Sequence, residues 1–470
     1  MDSYALTIDG KSVTSGQMLP VLNPADETVV GQYPAGSANL LDQAVQAARR
    51  AFPAWSGLPD GVRASKLQAI AGLIEQHQSA LSALITREQG KTQSGPGANL
   101  ELGGCIAWTQ VTATLNLPEE TLQDDAQGKI IVRRKPVGVV GSITPWNWPL
   151  MIAVWHIMPA LRVGCTVVIK PSPFTPLSTL KLVELMNTVL PPGVINSVTG
   201  GGEVGELVSR HPGIDKLVFT GSIDTGRKVM RGAANSVKRV TLELGGNDAG
   251  IVLPGTHIEP LLEKLFWGCF INAGQTCAAL KRLYVHEDQY EEVVAKFAEY
   301  VSKIPVGDGS DPKNLIGPLT NAMQRDKVSA YVDEARSLGA RIVIGGQTPA
   351  GKGYFYPLTV VADATDGMQL VREEQFGTAI PILSYKTIDE AILRANSLDV
   401  GLGGSVWGND EKEAEKYASQ LECGTAWVNQ HGALHPLAPF GGVKSSGIGV
   451  EFNVDGLKEY TTIRVVNVAR

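Results

Sequence analysis

Between residues 138 and 253 the chain repeats one pattern: a short unbroken apolar run, then a stretch with apolar residues at helical spacing. The runs are 139–143, 166–170, 194–198, 216–220, 240–243 and 250–253, with helices expected at 152–161 and 178–189. Apolar runs without polar alternation mark strands covered on both faces, and helical connections between them predict a parallel sheet. Ligands of such sheets sit at the carboxyl ends of the strands. A second alternating region predicts helices at 261–268 and 290–303 and strands at 283–286, 341–344, 380–384 and 404–407. Gly245-Gly246 is the expected hinge between the two units. Upstream, 6–30 reads as short strands and turns, and 40–52, 63–92 and 100–115 as helices. Two strands that alternate poorly with a core, at 129–134 and 461–469, are expected to pair away from the main body and form a subunit contact.

Length and composition narrow the class. A chain of 470 residues exceeds one ordinary domain, and 43% apolar with 19% charged residues suits a globular protein with ample core. The net charge of -6 argues against nucleic acid as a main partner. The most apolar window, 150–161, is interrupted by His156 and Pro159 and is too short to span a bilayer, so no membrane is expected. The start, Met1-Asp2-Ser3-Tyr4, resembles no secretory signal. Five scattered cysteines without a CxxC fit a reducing cytoplasm and no zinc site. No metal is expected.

One cysteine stands out. In Gly274-Gln275-Thr276-Cys277-Ala278-Ala279 nothing bulky flanks the sulfur, and 278–282 reads as a short helical run. A thiol at a helix start meets unpaired N–H groups and a positive dipole, which favour the thiolate and could hold an oxyanion. The alternative is a buried apolar filler, the commoner role of an arbitrary cysteine. Other candidates end predicted strands. Asn147, in Pro145-Trp146-Asn147-Trp148-Pro149, offers a neutral amide donor, and Lys170 precedes Pro171-Ser172-Pro173. Gly221-Ser222 opens a helix at Gly226, a phosphate-type turn. Glu243, on an apolar strand end, would have its pKa raised by burial toward that of a general base, or be a paired structural acid. Glu374 and Phe376 place an acid beside a ring. Gly200-Gly201-Gly202-Glu203-Val204-Gly205 matches a dinucleotide fingerprint, but a lone match is a weak signal, so it reads as a turn.

Taken in order and register, seven motifs resemble the NAD(P)-dependent aldehyde dehydrogenase superfamily over almost the whole chain. They are Pro-Trp-Asn147-Trp-Pro, Lys170-Pro-Ser, Phe-Thr-Gly-Ser222, Glu243-Leu-Gly-Gly, Gly-Gln-Thr-Cys277, Glu374-Gln-Phe376-Gly and Pro439-Phe440-Gly-Gly-Val-Lys444-Ser-Ser-Gly. The resemblance implies an α/β fold: a Rossmann-type cofactor domain (1–117 and 138–245), an α/β catalytic domain (246–455) and a small β oligomerisation arm (118–137 and 456–470). It implies oxidation of a small-molecule aldehyde to a carboxylate with NAD or NADP. Cys277 would attack, Asn147 and the Cys277 N–H would hold the oxyanion, and Glu243 would activate the hydrolytic water. Trp146, Lys170, Ser172, Pro173, Gly221, Ser222, Gly245, Glu374 and Phe376 would bind the cofactor. Trp148, Trp155, Ile271, Thr276, Leu434 and Phe440 would line the substrate tunnel, with His431 and His435 nearby. Without an Arg or Lys in that lining, an apolar aliphatic or aromatic aldehyde is expected. A semialdehyde substrate and a CoA-acylating reaction are the alternatives, the latter disfavoured by Glu243. Pro173, where many relatives carry Glu, leaves NAD against NADP open, and Val450 weakens any relay role for Glu451. A homodimer or homotetramer is expected.

Overall fold

Two large, mainly parallel sheets organise the fold, beside a third, antiparallel sheet of three strands and three further small ones; the computed structural model describes residues 2–470. The first sheet has the spatial order Ile195–Ser197, Thr166–Lys170, Val139–Ile143, Lys216–Thr220, Arg239–Glu243 and Gly447–Ile448. Its first five strands run parallel, as their apolar runs require. The sixth comes from far down the chain and pairs antiparallel, Gly447 opposite Glu243. From Val139–Ile143 the chain builds outward in one direction, then returns to the opposite side with Lys216–Thr220. This reversal opens a crevice at the carboxyl ends of those two strands, where doubly wound sheets bind ligands. Helices cover both faces, burying one core around Val140, Val167 and Val218 and another around Val139, Val168 and Leu217.

The second sheet has seven strands, with Leu280–His286 at its centre between Ala379–Tyr385 and Asp248–Val252. Three expectations change here. The run expected at 250–253 belongs to this second sheet, not the first: Asp248–Val252 pairs with Leu280–His286 and Gly403–Trp407. The helical run expected at 278–282 is a turn entering the strand Leu280–His286. Leu280 to Val285 are all buried, and a segment covered on both faces and paired on both edges keeps strand geometry despite its preceding alanines. The helix expected at 63–92 is two, Asp60–Gln76 and Gln78–Gln89, broken at His77 without a Gly or Pro to announce it.

The third sheet joins Thr461–Ala469 to Gly128–Pro136 along its whole length, with Glu120–Asp125 on the other edge. Leu122, Ile463, Val465 and Val468 stand exposed on it. No described helix is long and apolar enough to cross a membrane.

Candidate active site

A cavity of about 740 Å³ fills the crevice between the two large sheets. Its wall includes Cys277, Glu243 and Asn147, together with Trp146, Lys170, Ser172, Pro173, Gly221, Ser222, Gly245, Glu374 and Phe376. Gly201, Gly202 and Gly205 line it as well. The glycine run read as a plain turn therefore reaches the crevice, where it leads into the helix Gly202–Arg210.

Asn147 sits in the loop after Val139–Ile143, immediately before Pro149 starts the helix Pro149–Val163. Its Nδ2 donates to the Gln275 carbonyl at 2.9 Å, so the amide of one lobe reaches the backbone of the cysteine loop in the other. Among the described residues Nδ2 has no second acceptor, leaving its other proton available. The cysteine loop is tightly built: Asn272, Ala273 and Gly274 have φ of 53°, 57° and 72°. Left-handed backbone is costly for Asn and Ala, and such strain persists only where packing enforces it. Lys281 Nζ enforces it here, donating to the carbonyls of Thr276 at 2.6 Å and Gly274 at 3.2 Å.

The thiol does not match its expected state. Burial first, then the carboxyls of Glu374 and Glu243, push Cys277 up to about 12. With a strand and no helix following it, the sulfur lacks the dipole that was to favour its anion. Glu243 ends its strand buried, with neither carboxylate oxygen hydrogen-bonded. Burial, reinforced by Glu451, holds its pKa well above the ordinary range. Glu374, next to Gly245, is raised to about 7 by burial. A Cβ at Gly245 would lie 2.5 Å from its Oε2, so a larger residue there would push the carboxyl aside. Phe376, held at φ 52°, packs edge-on to Trp146 at 5.4 Å. Lys170 is lowered to about 8 by burial, its Nζ donating to the carbonyls of Pro171 and Gly200, both at 2.9 Å.

The helix after Phe219-Thr220-Gly221 starts at Ile223, earlier than expected, because Ser222 caps it: its Oγ accepts from Thr225 N. Two helix N-termini, Gly202–Arg210 and Ile223–Ala234, thus open on the cavity. A buried cation, two such N-termini and a glycine-lined wall match a dinucleotide's ribose and pyrophosphate.

On the other side of Cys277 lies an apolar cluster of Trp148, Trp155, Phe440, Trp427 and Phe452, against which Ile271 and Leu434 pack. Trp148 Nε1 donates to Thr276 Oγ1 at 3.0 Å. His431 is turned away into a buried contact with Ser405 (2.9 Å) and Asp248 (3.4 Å). Two groups near Glu243 come together here: Glu451, for which the resemblance gave only a weak relay role, and His156, which the sequence did not single out for chemistry. His156 Nε2 lies 2.9 Å from Thr220 Oγ1 and 3.3 Å from Glu451 Oε1, and its Nδ1 lies 2.9 Å from Ser142 Oγ. Only the helix Pro149–Val163 and the long-range return of 451 bring them together.

A doubly wound sheet with a crevice suited to a dinucleotide, meeting a second α/β unit that presents a cysteine, has the architecture of a dinucleotide-dependent oxidoreductase. The sequence model of the aldehyde dehydrogenase family matches residues 11–466, and the chain belongs to that family. It is 39% identical over 475 residues to a putative aldehyde dehydrogenase, DhaS, of Bacillus subtilis, covering 98% of this chain and 94% of that one. It is 39% identical over 465 residues to human retinaldehyde dehydrogenase 3, covering 97% and 90%. Betaine aldehyde dehydrogenase of Staphylococcus aureus, solved in complex with NAD+, superposes with a TM-score of 0.96 at 34% identity, covering 99% and 95%.

Proposed function

We propose that this aldehyde dehydrogenase oxidises an apolar aldehyde to its carboxylate through an acyl group carried on Cys277. The carrying observation is the convergence of Cys277, Asn147 and Glu243 from two lobes on one cavity wall. The residues suit a nicotinamide dinucleotide: Lys170 and Ser172 for the adenosine ribose, Gly221 and Ser222 for the pyrophosphate, Glu374 and Phe376 for the nicotinamide end. Bound there, NAD or NADP supplies the hydride acceptor. Pro173 offers no carboxylate to repel a 2′-phosphate, which favours acceptance of both.

Cys277, once its proton is lost to solvent, forms the carbon–sulfur bond as the aldehyde carbonyl opens. The free Nδ2 proton of Asn147 meets the resulting oxyanion; losing one such donor typically costs about 10²–10³ in rate. Loss of a hydride, which NAD or NADP would accept when bound, turns this adduct into a thioester. Glu243 takes a proton from water, whose oxygen attacks the thioester carbon and releases the carboxylate and the thiol. The apolar cluster beyond Cys277 supports a substrate without a charged tail. The paired strands Gly128–Pro136 and Thr461–Ala469, with their exposed apolar side chains, support a homodimer or homotetramer.

Absorbance at 340 nm with aldehyde and either cofactor tests the reading. Cys277→Ala should abolish turnover, whereas Glu243→Gln should retain a first-turnover burst and slow the steady state. Equal loss of both phases in the Glu243 variant would remove its hydrolytic role. Succinic semialdehyde turned over well ahead of hexanal and benzaldehyde would overturn the substrate class.

A further inference from the structure

Behind the loop that carries Asn147, away from the crevice, lies a buried ion pair. Lys91 Nζ and Glu101 Oε2 are 2.7 Å apart, with side chains 1% and 0% exposed. The ammonium also donates to the Asn147 carbonyl at 2.8 Å and lies 3.5 Å from the centroid of the Trp148 ring. Glu101 Oε1 accepts from Leu150 N at 2.8 Å and Met151 N at 3.1 Å, in the first turn of the helix Pro149–Val163. That turn has no side-chain cap of its own, so Glu101 satisfies amides the helix leaves open. Two side chains therefore grip the backbone at 147, 150 and 151 and the ring at 148. Asn272 Nδ2 adds a second donor to the Asn147 carbonyl, at 2.8 Å, from the cysteine loop.

We propose that Lys91 and Glu101 are positioning residues that hold the Asn147 amide where an oxyanion on the Cys277 adduct forms. The inference rests on the reading of Asn147 as the oxyanion donor. Neither residue lines the crevice or touches the reacting atoms. Their work is on the peptide between Asn147 and Trp148: with its carbonyl fixed by two donors and its neighbouring ring fixed by the cation, the Asn147 side chain has one place to point. An ion pair replaced by apolar residues can keep a fold, whereas a buried charge left alone is destabilising, so stability alone does not call for the pair. A shift of about 1 Å in a positioning group can cost about 10²-fold in rate.

The test uses the full chain and p-nitrophenyl acetate, an activated ester that acylates a thiol through a similar oxyanion and needs no dinucleotide. In Lys91→Met the first-turnover release of p-nitrophenolate should fall about 10²-fold. Alkylation of Cys277 by iodoacetamide, which forms no oxyanion, should keep its wild-type rate. In an Asn147→Ala background the same substitution should add no further loss, because both act on one group. An unchanged acylation rate, a parallel loss of alkylation, or losses that multiply in the double variant would each overturn the positioning role. Should Lys91→Met not fold, Glu101→Gln and Lys91→Arg carry the same three readouts, since one drops the carboxylate charge and the other moves the cation off the indole. A wild-type chain that is not acylated at Cys277 would sink the reading of the site itself; failure confined to the variants sinks only the positioning role.

Discussion

At the scale of single residues, the site is governed by desolvation. In its proposed role as a base Glu243 must be ionised, yet burial and Glu451 keep its proton on to higher pH than an exposed glutamate's, about 4.3. Steady-state turnover should therefore rise with pH through a midpoint above the ordinary carboxylate range, and Glu243→Gln should remove that rise while sparing the burst. The same shift has a stability consequence. The folded state holds a proton that the unfolded state has released, so the contribution of Glu243 to stability falls as pH rises above the unfolded value. Glu243→Gln should accordingly raise the melting temperature at pH 8 more than at pH 5, and an equal gain at both would contradict a raised pKa. The residue types were legible in the sequence, as was the upward shift that burial gives Glu243; the state of the thiol was not. The reactive thiol was expected to be anionic from local helix geometry, and a strand with buried carboxyls around it produces the reverse.

At the scale of elements, turns and caps aim the side chains. Ser222 caps the helix Ile223–Ala234 that opens on the cavity, so Ser222→Ala should cost about 1 kcal/mol of stability and raise the cofactor KM with little change in kcat. Gly274 is a constrained turn of the cysteine loop: at φ 72°, an added Cβ would stand 2.2 Å from the Gly377 carbonyl. Gly274→Ala should lower the melting temperature and slow iodoacetamide labelling of Cys277, since the backbone must shift to clear that oxygen. The strands at 139–143, 166–170, 216–220 and 341–344 were readable to the residue because an apolar run between turn residues is a local signal. The break at His77 and the early start of the strand Leu280–His286 were not. Both depend on what packs against them.

At the scale of the molecule, the crevice exists because two independently cored sheets meet, with Gly447–Ile448 crossing back to complete the first. The third sheet carries Ile463 and Val465 on its surface. Replacing both with lysine should shift light scattering toward a smaller species without abolishing thiol alkylation; an unchanged mass would place the subunit contact elsewhere. By itself the amino-acid sequence determined the alternation of strand and helix, the family and the set of groups in the crevice, because periodicity and motif spacing are properties of contiguous chain. Only the tertiary structure decided which of those groups are charged, that His156 stands beside Glu451, and that Lys91 and Glu101 lie behind Asn147. Desolvation and pairing arise between residues tens to hundreds of positions apart, and no local pattern records them.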